Sequence, residues 1–110
     1  MKEVKTWEAK IYCGLREGYG MTEFPLGRVH DICCNFVNEN PWCVTVTKTM
    51  FTYTSGWEDG AIVGIIQYPR FPDSIKNLKE KTVGLANELK IGLKQLRVSV
   101  VFPDVTFLIE

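Results

Sequence analysis

The segment from residue 43 to residue 71 constrains the fold more than any other part of the chain. It reads CVTVTKTMFTYT, then SGWEDG, then AIVGIIQYPRF. β-branched and aromatic residues dominate both outer runs, and a short glycine-containing segment between two such runs is typical of a β-hairpin. The pattern predicts a hairpin with SGWEDG as its turn and a second strand from Ala61 to Tyr68.

Hydrophobic periodicity predicts the elements on both sides of the hairpin. A period of two indicates a half-buried strand, whereas apolar residues spaced three and four apart indicate an amphipathic helix. Proline favours the first turn of a helix and prevents its continuation elsewhere. The predicted elements are a strand over residues 7–15, a helix from Pro25 to about Asn38, the hairpin, a helix with an apolar stripe from Ile75 to Leu96 capped by Asp73 or Ser74, a strand from Val98 to Phe102, and a short strand from Val105 to Ile109.

This order of elements predicts an α+β fold. The sequence β-α-β-β-α-β, with an extra strand at its end, is typical of a ferredoxin-like βαββαβ antiparallel sheet with two helices on one face. Right-handed crossovers place the first and third strands side by side in the centre of that sheet, running in opposite directions. A length of 110 residues fits a single domain over residues 1–110.

The hairpin also predicts a homo-oligomer. The strand from Ala61 to Tyr68 is almost wholly apolar, as expected of a strand covered on both faces, yet two helices cover only one face of a sheet. One face of the preceding strand mixes polar and aromatic residues, namely Thr45, Thr47, Thr49, Phe51 and Tyr53. That surface is neither a core face nor a solvent face, so we expect part of it to lie against another copy.

Composition excludes several classes of partner. Thirteen basic and thirteen acidic residues cancel, so no global field attracts a nucleic acid polymer. No apolar run approaches the roughly 20 residues of a membrane span. The first residues, MKEVKTWEAK, lack the apolar centre of a signal peptide. We expect a cytoplasmic protein with no membrane partner.

The four cysteines give no metal signature. Cys33 and Cys34 are adjacent, Cys13 and Cys43 stand alone, and the only histidine is His30. This spacing matches no standard pair of zinc ligands. We predict four reduced thiols, no bound metal and no cofactor.

A first candidate ligand region combines arginine, aromatic and glycine residues at one end of the sheet. Glycine-rich loops cradle anions, arginine binds phosphate as a fork, and aromatic faces stack on bases. The glycine spacing matches neither the dinucleotide fingerprint nor the P-loop. The alternative is an ordinary pair of loops whose glycines only make turns. The candidates are Arg16, Tyr19, Trp57 and Arg97, with Glu17 and Glu58 beside them.

A second candidate region is the segment Tyr-Pro-Arg-Phe-Pro, which carries Tyr68, Arg70 and Phe71. An arginine held rigidly between aromatic residues and prolines binds a planar anion at a small entropic cost. The alternative is that Arg70 stacks on Phe71 or pairs across a subunit boundary.

No catalytic signature is present. The sequence contains no nucleophile elbow, no HExxH motif and no Ser-His-Asp order. His30 and Asp31 are neighbours on a helix, so their side chains diverge by about 100°. We therefore predict no catalytic residue and consider an enzyme the less favoured interpretation.

Three segments, KIYCGLREGYG, CVTVTKTMFTYTSG and AIVGIIQYPRFP, resemble segments of small phage and prophage proteins. Some compact proteins of this group are sponges that sequester cyclic nucleotide or cyclic ADP-ribose-type immune signals, as in the anti-Thoeris and anti-CBASS groups. The resemblance implies an anti-defence protein that binds a small anionic, nucleotide-like ligand without turnover, and it implies no particular site residue.

Two alternatives remain at this point. The first is a small hydrolase or transferase acting on a phosphorylated substrate with His30 or the acidic pair Glu17 and Glu58. The second is a structural assembly subunit, which explains the apolar sheet without any ligand.

Overall fold

A computed structural model describes residues 1–110 and contains five strands and two helices. The elements are β1 (Glu8–Gly14), α1 (Leu26–Glu39), β2 (Thr45–Tyr53), β3 (Gly56–Ile66), α2 (Ile75–Gly92), β4 (Val98–Val101) and β5 (Thr106–Ile109). The strands form one antiparallel sheet in the order β2-β3-β1-β4-β5. This confirms the predicted ferredoxin-like α+β fold, with β1 and β3 paired at the centre and β5 added beyond β4.

Both helices pack on one face of the sheet, and the core lies between these two layers. Alternate residues of the three central strands point into it, and each helix buries the stripe that its periodicity predicts. The buried strand residues are Ala9, Ile11, Cys13, Ala61, Val63, Ile65, Val98 and Val100, and the buried helix residues include Val29, Cys33, Leu78, Leu85, Ala86 and Leu89.

The other face of the sheet is not covered by any element of the chain. Because side chains alternate along each strand, this face carries Tyr12 of β1, Ile62 of β3 and Leu108 of β5. Ile62 is half-buried and Leu108 is 52% exposed. The expectation that β3 is covered on both faces is therefore not met within one chain. We call this surface the open face.

The hairpin turn lies earlier than the sequence predicts. Residues 56–60 are not part of the turn, because β3 begins at Gly56 and pairs Trp57 with Thr52 and Glu58 with Phe51. Ser55 adopts a left-handed φ of 65° in the short turn. Only Thr54 and Ser55 form the turn, so the ladder continues to the tip, where Tyr53 pairs with Gly56. As a consequence, Glu58 points to the open face and Trp57 to the opposite side.

The ends of α2 are determined by local contacts. The Ser74 hydroxyl accepts a hydrogen bond from the Asn77 amide at 3.1 Å, which confirms Ser74 as the cap. The helix ends at Gly92 rather than at Leu96, because Lys94 takes a left-handed φ of 50°. Leu96 consequently lies in the loop before β4 and is 48% exposed.

Candidate functional site

A cavity of about 330 Å³ lies at one end of the open face, and we call it the open-face cavity. Its volume is within the range of roughly 300–1,000 Å³ typical of small-molecule sites. Strands β1 to β4 and the loops after β1 and α2 contribute to it. The lining residues are Tyr12, Gly14, Arg16, Gly18, Tyr19, Phe51, Glu58, Gln95, Leu96, Arg97 and Ser99.

The loop after β1 is held in place by backbone and side-chain hydrogen bonds. The Gly18 amide donates to the Lys94 carbonyl at 3.1 Å, and the Gln95 side-chain amide donates to the Arg16 carbonyl at 2.6 Å. The Glu17 amide donates to Thr22 at 2.8 Å within the loop itself. These bonds attach the loop to the segment before β4, so they fix the backbone positions of Arg16 and Arg97 relative to each other.

An aromatic wall closes one side of the open-face cavity. The ring centroids of Tyr12 and Phe51 lie 6.4 Å apart, with the rings tilted by 53°. The Phe51 ring crosses over Gly60, where a Cβ atom would overlap its Cε2 and Cδ2 atoms. Aromatic faces of this kind attract cations and stack on planar rings. The wall can therefore bind either kind of group.

Charges of both signs face the same cavity. Arg16, Arg97 and Glu58 all line it, and none of them forms a salt bridge within the chain. Two guanidinium groups can bind a carboxylate or phosphate through forked hydrogen bonds. The carboxylate of Glu58 can bind a cationic group. The cavity thus suits a ligand that carries both charges.

The structure brings together three of the seven residues that the sequence indicates as ligand-binding. Arg16, Tyr19 and Arg97 line the open-face cavity. Trp57 lies on the opposite side of β3, is 57% exposed and does not line this cavity. Its predicted place in a loop depended on the turn position that the structure corrects.

Tyr68, Arg70 and Phe71 lie at the opposite end of the sheet. The Arg70 guanidinium lies 5.3 Å from the centroid of the Phe71 ring, so it stacks on the neighbour that the alternative interpretation names. Burial raises the pKa of Tyr68 to about 12, and its hydrogen bond with Cys43 contributes in the same direction. Phe71 lines a separate cavity of about 360 Å³ with Trp42.

Apart from glycines, sequence reasoning missed five residues of the open-face cavity as site residues: Tyr12, Phe51, Gln95, Leu96 and Ser99. A signal existed for three of them. Tyr12 and Ser99 alternate with the core residues of β1 and β4, and Phe51 lies on the mixed face of β2, so strand parity places all three on the open face. No sequence signal distinguished Gln95 or Leu96.

All four cysteines are free thiols, and no group of three or more histidine, cysteine or acidic side chains is arranged to hold a metal ion. Neither helix combines the length and apolar character that crossing a membrane requires.

Comparison with known proteins identifies structures of similar fold but no sequence family. No protein-family model and no curated protein matches the chain. A phage SAM lyase in complex with S-methyl-5'-thioadenosine matches at 19% identity with a TM-score of 0.74, over 94% of this chain and 88% of that one. The apo form of a phage SAM lyase matches at 20% identity with a TM-score of 0.66, over 94% and 87% of the two chains. At these identities the likeness establishes a common fold.

These comparisons correct the functional expectation. Both matching structures are of a lyase, which is an enzyme, so the prediction of a sponge without catalytic activity is wrong. The preference against an enzyme is wrong for the same reason, and the enzyme alternative agrees better with the fold. The resemblance to phage proteins is confirmed at the level of fold, whereas the sponge type is not.

Proposed function

We propose that the chain is an enzyme that cleaves S-adenosylmethionine, or a closely similar sulfonium nucleoside, and releases methylthioadenosine from the open-face cavity. The observation that carries the proposal is the combination in one cavity of two arginines, one carboxylate and an aromatic pair. The fold shared with phage SAM lyase, one structure of which holds methylthioadenosine, supports the choice of substrate.

The charges of the substrate suit the charges of the cavity. S-adenosylmethionine carries a carboxylate, an ammonium group, a sulfonium and an adenine ring. Arg16 and Arg97 would bind the carboxylate, and Glu58 would attract a cationic group. The faces of Tyr12 and Phe51 would stack on the adenine or lie against the sulfonium. This ligand is a zwitterionic nucleoside, so it replaces the purely anionic ligand of the sequence-based expectation.

The reaction breaks the bond between sulfur and the four-carbon amino-acid chain. Both electrons of that bond remain on sulfur, and the sulfonium becomes the neutral thioether of methylthioadenosine. Without water as a reactant, the four-carbon fragment either closes through its own carboxylate or loses a proton to form a carbon–carbon double bond. Positive charge on sulfur decreases as the bond breaks, so loss of water from around the sulfonium on binding would favour cleavage.

The test is incubation of the purified protein with S-adenosylmethionine and chromatographic measurement of methylthioadenosine. Arg16→Ala or Arg97→Ala should lower kcat/KM by about ten-fold or more, because a charge-assisted hydrogen bond contributes about 1.5–3 kcal/mol. Arg70→Ala is the matched control, since Arg70 is exposed and lies at the opposite end of the sheet, outside the cavity. Recovery of intact S-adenosylmethionine as the only nucleoside would refute the proposal.

We also propose that the chain assembles into a homo-oligomer through the open face. Support comes from the half-buried Ile62 and the half-exposed Leu108, which no element of the chain covers. In a bacterial cytoplasm, an enzyme of this kind would serve the anti-defence role implied by the sequence resemblance by consuming a small molecule.

A further inference from the structure

A second, smaller cavity is lined by three cysteines, which have no part in the proposed function. It has a volume of about 210 Å³ and lies between α1 and the start of β2. His30, Cys33, Cys34 and Cys43 line it, together with apolar residues that include Val37 and Val44. It is on the side of the sheet that the helices cover, so it is separate from the open-face cavity.

Cys34 is paired with the only histidine of the chain. Its Sγ atom lies 3.4 Å from His30 Nε2, one helical turn away on the same face of α1. Cys34 is half-buried and His30 is exposed, so small molecules can reach the pair. An imidazole at this distance can accept the thiol proton, and the thiolate that results is the nucleophilic form of cysteine.

The other three thiols lack this arrangement. Burial raises the pKa of Cys13 to about 12, and its thiol donates a hydrogen bond to the Ala61 carbonyl. Burial, with a smaller contribution from Cys34, raises the pKa of Cys33 to about 11. Cys43 is exposed, but its partner is the hydroxyl of Tyr68, which is not a base at neutral pH. Cys34 alone combines a base with an accessible position.

We propose that Cys34 is a reactive thiol that forms a mixed disulfide with a low-molecular-weight organic disulfide, with His30 as its base. His30 Nε2 takes the proton of Cys34, and the thiolate attacks one sulfur of the disulfide. The sulfur–sulfur bond of the reagent breaks, and its second sulfur leaves with the electron pair and takes up a proton. The disulfide is the oxidant, and one new Cys34–sulfur bond forms per chain. The side chains of Val37 and Val44 provide an apolar surface for the organic group.

The experiment adds the aromatic disulfide dithiobis(nitrobenzoate) to the folded protein. Absorbance of the released nitrobenzoate thiolate gives the rate, and peptide mass spectrometry gives the site. We expect one fast equivalent at Cys34, which Cys34→Ser abolishes. His30→Gln keeps a polar side chain but removes the base, and it should slow that phase about ten-fold.

Cys43→Ser is the matched control and should leave the fast phase unchanged. His30 and Cys43 are both exposed, so neither variant should alter the melting temperature. An unchanged melting temperature would show that both variants are folded. Fast labelling of Cys43 in place of Cys34 would overturn the proposal. An unchanged rate in His30→Gln would also overturn it, because the geometry assigns the activation to that ring.

Discussion

At the scale of single residues, the aromatic wall of the open-face cavity depends on Gly60. A Cβ atom there would overlap the Phe51 ring and would lie 2.9 Å from the Cys13 carbonyl oxygen. The absence of a side chain is therefore what allows Phe51 to lie across β3 towards Tyr12. A larger residue would displace the ring from the wall.

We predict that Gly60→Ala weakens binding of methylthioadenosine. Stacking of a base on an aromatic side chain contributes roughly 1–3 kcal/mol, so displacement of Phe51 should raise Kd by about five-fold or more. Titration calorimetry measures this, and Phe51→Ala should show a similar loss. Gly64→Ala is the control on the same strand and face, because a Cβ there meets only the Thr45 side chain. Equal weakening in Gly64→Ala would show that the aromatic wall is not responsible.

The sequence predicts only the part of the site that follows from strand order. Arg16, Tyr19 and Arg97 follow from the order of strands, because topology alone brings their segments to one end of the sheet. The orientation of Trp57 and Glu58 depends on where the hairpin turns. Side chains alternate along a strand, so a prediction that leaves these residues in a loop cannot assign their faces.

At the scale of elements, Asp73 organises the start of α2. Its carboxylate accepts hydrogen bonds from the Asn77 side-chain amide at 3.0 Å, the Ser74 backbone amide at 2.8 Å and Lys81 at 3.1 Å. The Asn77 bond is the largest cause that lowers the pKa of Asp73 below its ordinary value of 3.8. The ionised form is therefore favoured in the folded protein.

This pKa direction predicts how stability depends on pH. A carboxyl whose pKa is lower in the folded state stabilises the fold above its unfolded value, here 3.8, and loses that contribution as the pH falls through the folded value. Asp73→Asn should therefore lower the free energy of unfolding at pH 6 and make a smaller difference near pH 2. Urea unfolding at both pH values measures this. A difference that stays constant between them would contradict the assignment.

The second helix should also carry a large share of the core energy. Leu89 is fully buried on the face that packs against the sheet, and truncation of such a leucine costs about 2–5 kcal/mol. Leu89→Ala should lower the free energy of unfolding by that amount. Ile91→Ala, at a position that is 71% exposed on the same helix, should change it by less than about 0.5 kcal/mol. Similar losses in the two variants would place the core face elsewhere.

Helix periodicity predicts α1 and α2 well, but not the segment after α2. The apolar stripe of the sequence continues to Leu96, yet the left-handed conformation of Lys94 stops the helix, and Leu96 and Arg97 line the open-face cavity. The spacing of apolar residues carries no information about this backbone conformation. Elements that bury a regular stripe are therefore readable from sequence, whereas the loops that build the site are not.

At the scale of the whole molecule, the open face predicts association. A specific interface hides about 800 Å² on each partner, which one face of a sheet can supply. Sedimentation at micromolar concentration should show a species heavier than the 12.6 kDa chain. Thr47→Glu places a charge on the open face and should dissociate it, whereas Lys48→Glu on the other side of β2 should not. A wild-type monomer at that concentration would contradict this prediction.

The overall fold was predictable because the order of elements nearly determines a ferredoxin-like sheet. The function was not, because one fold supports many unrelated activities. The charged residues of the candidate site come from three separate segments and form no motif. A common role for Arg16, Glu58 and Arg97 can be inferred only because the structure places them around one cavity.

Magnetic resonance of isotope-labelled protein can show whether the open-face cavity binds and cleaves S-adenosylmethionine. After the substrate is added, spectra of one sample report both the shifts of the protein amides and the conversion of the ligand. We predict shifts concentrated at Gly14, Gly18 and Ser99, together with growing signals of methylthioadenosine. Unchanged S-adenosylmethionine, or shifts confined to Arg70 and Phe71 at the far end of the sheet, would refute this function for the cavity.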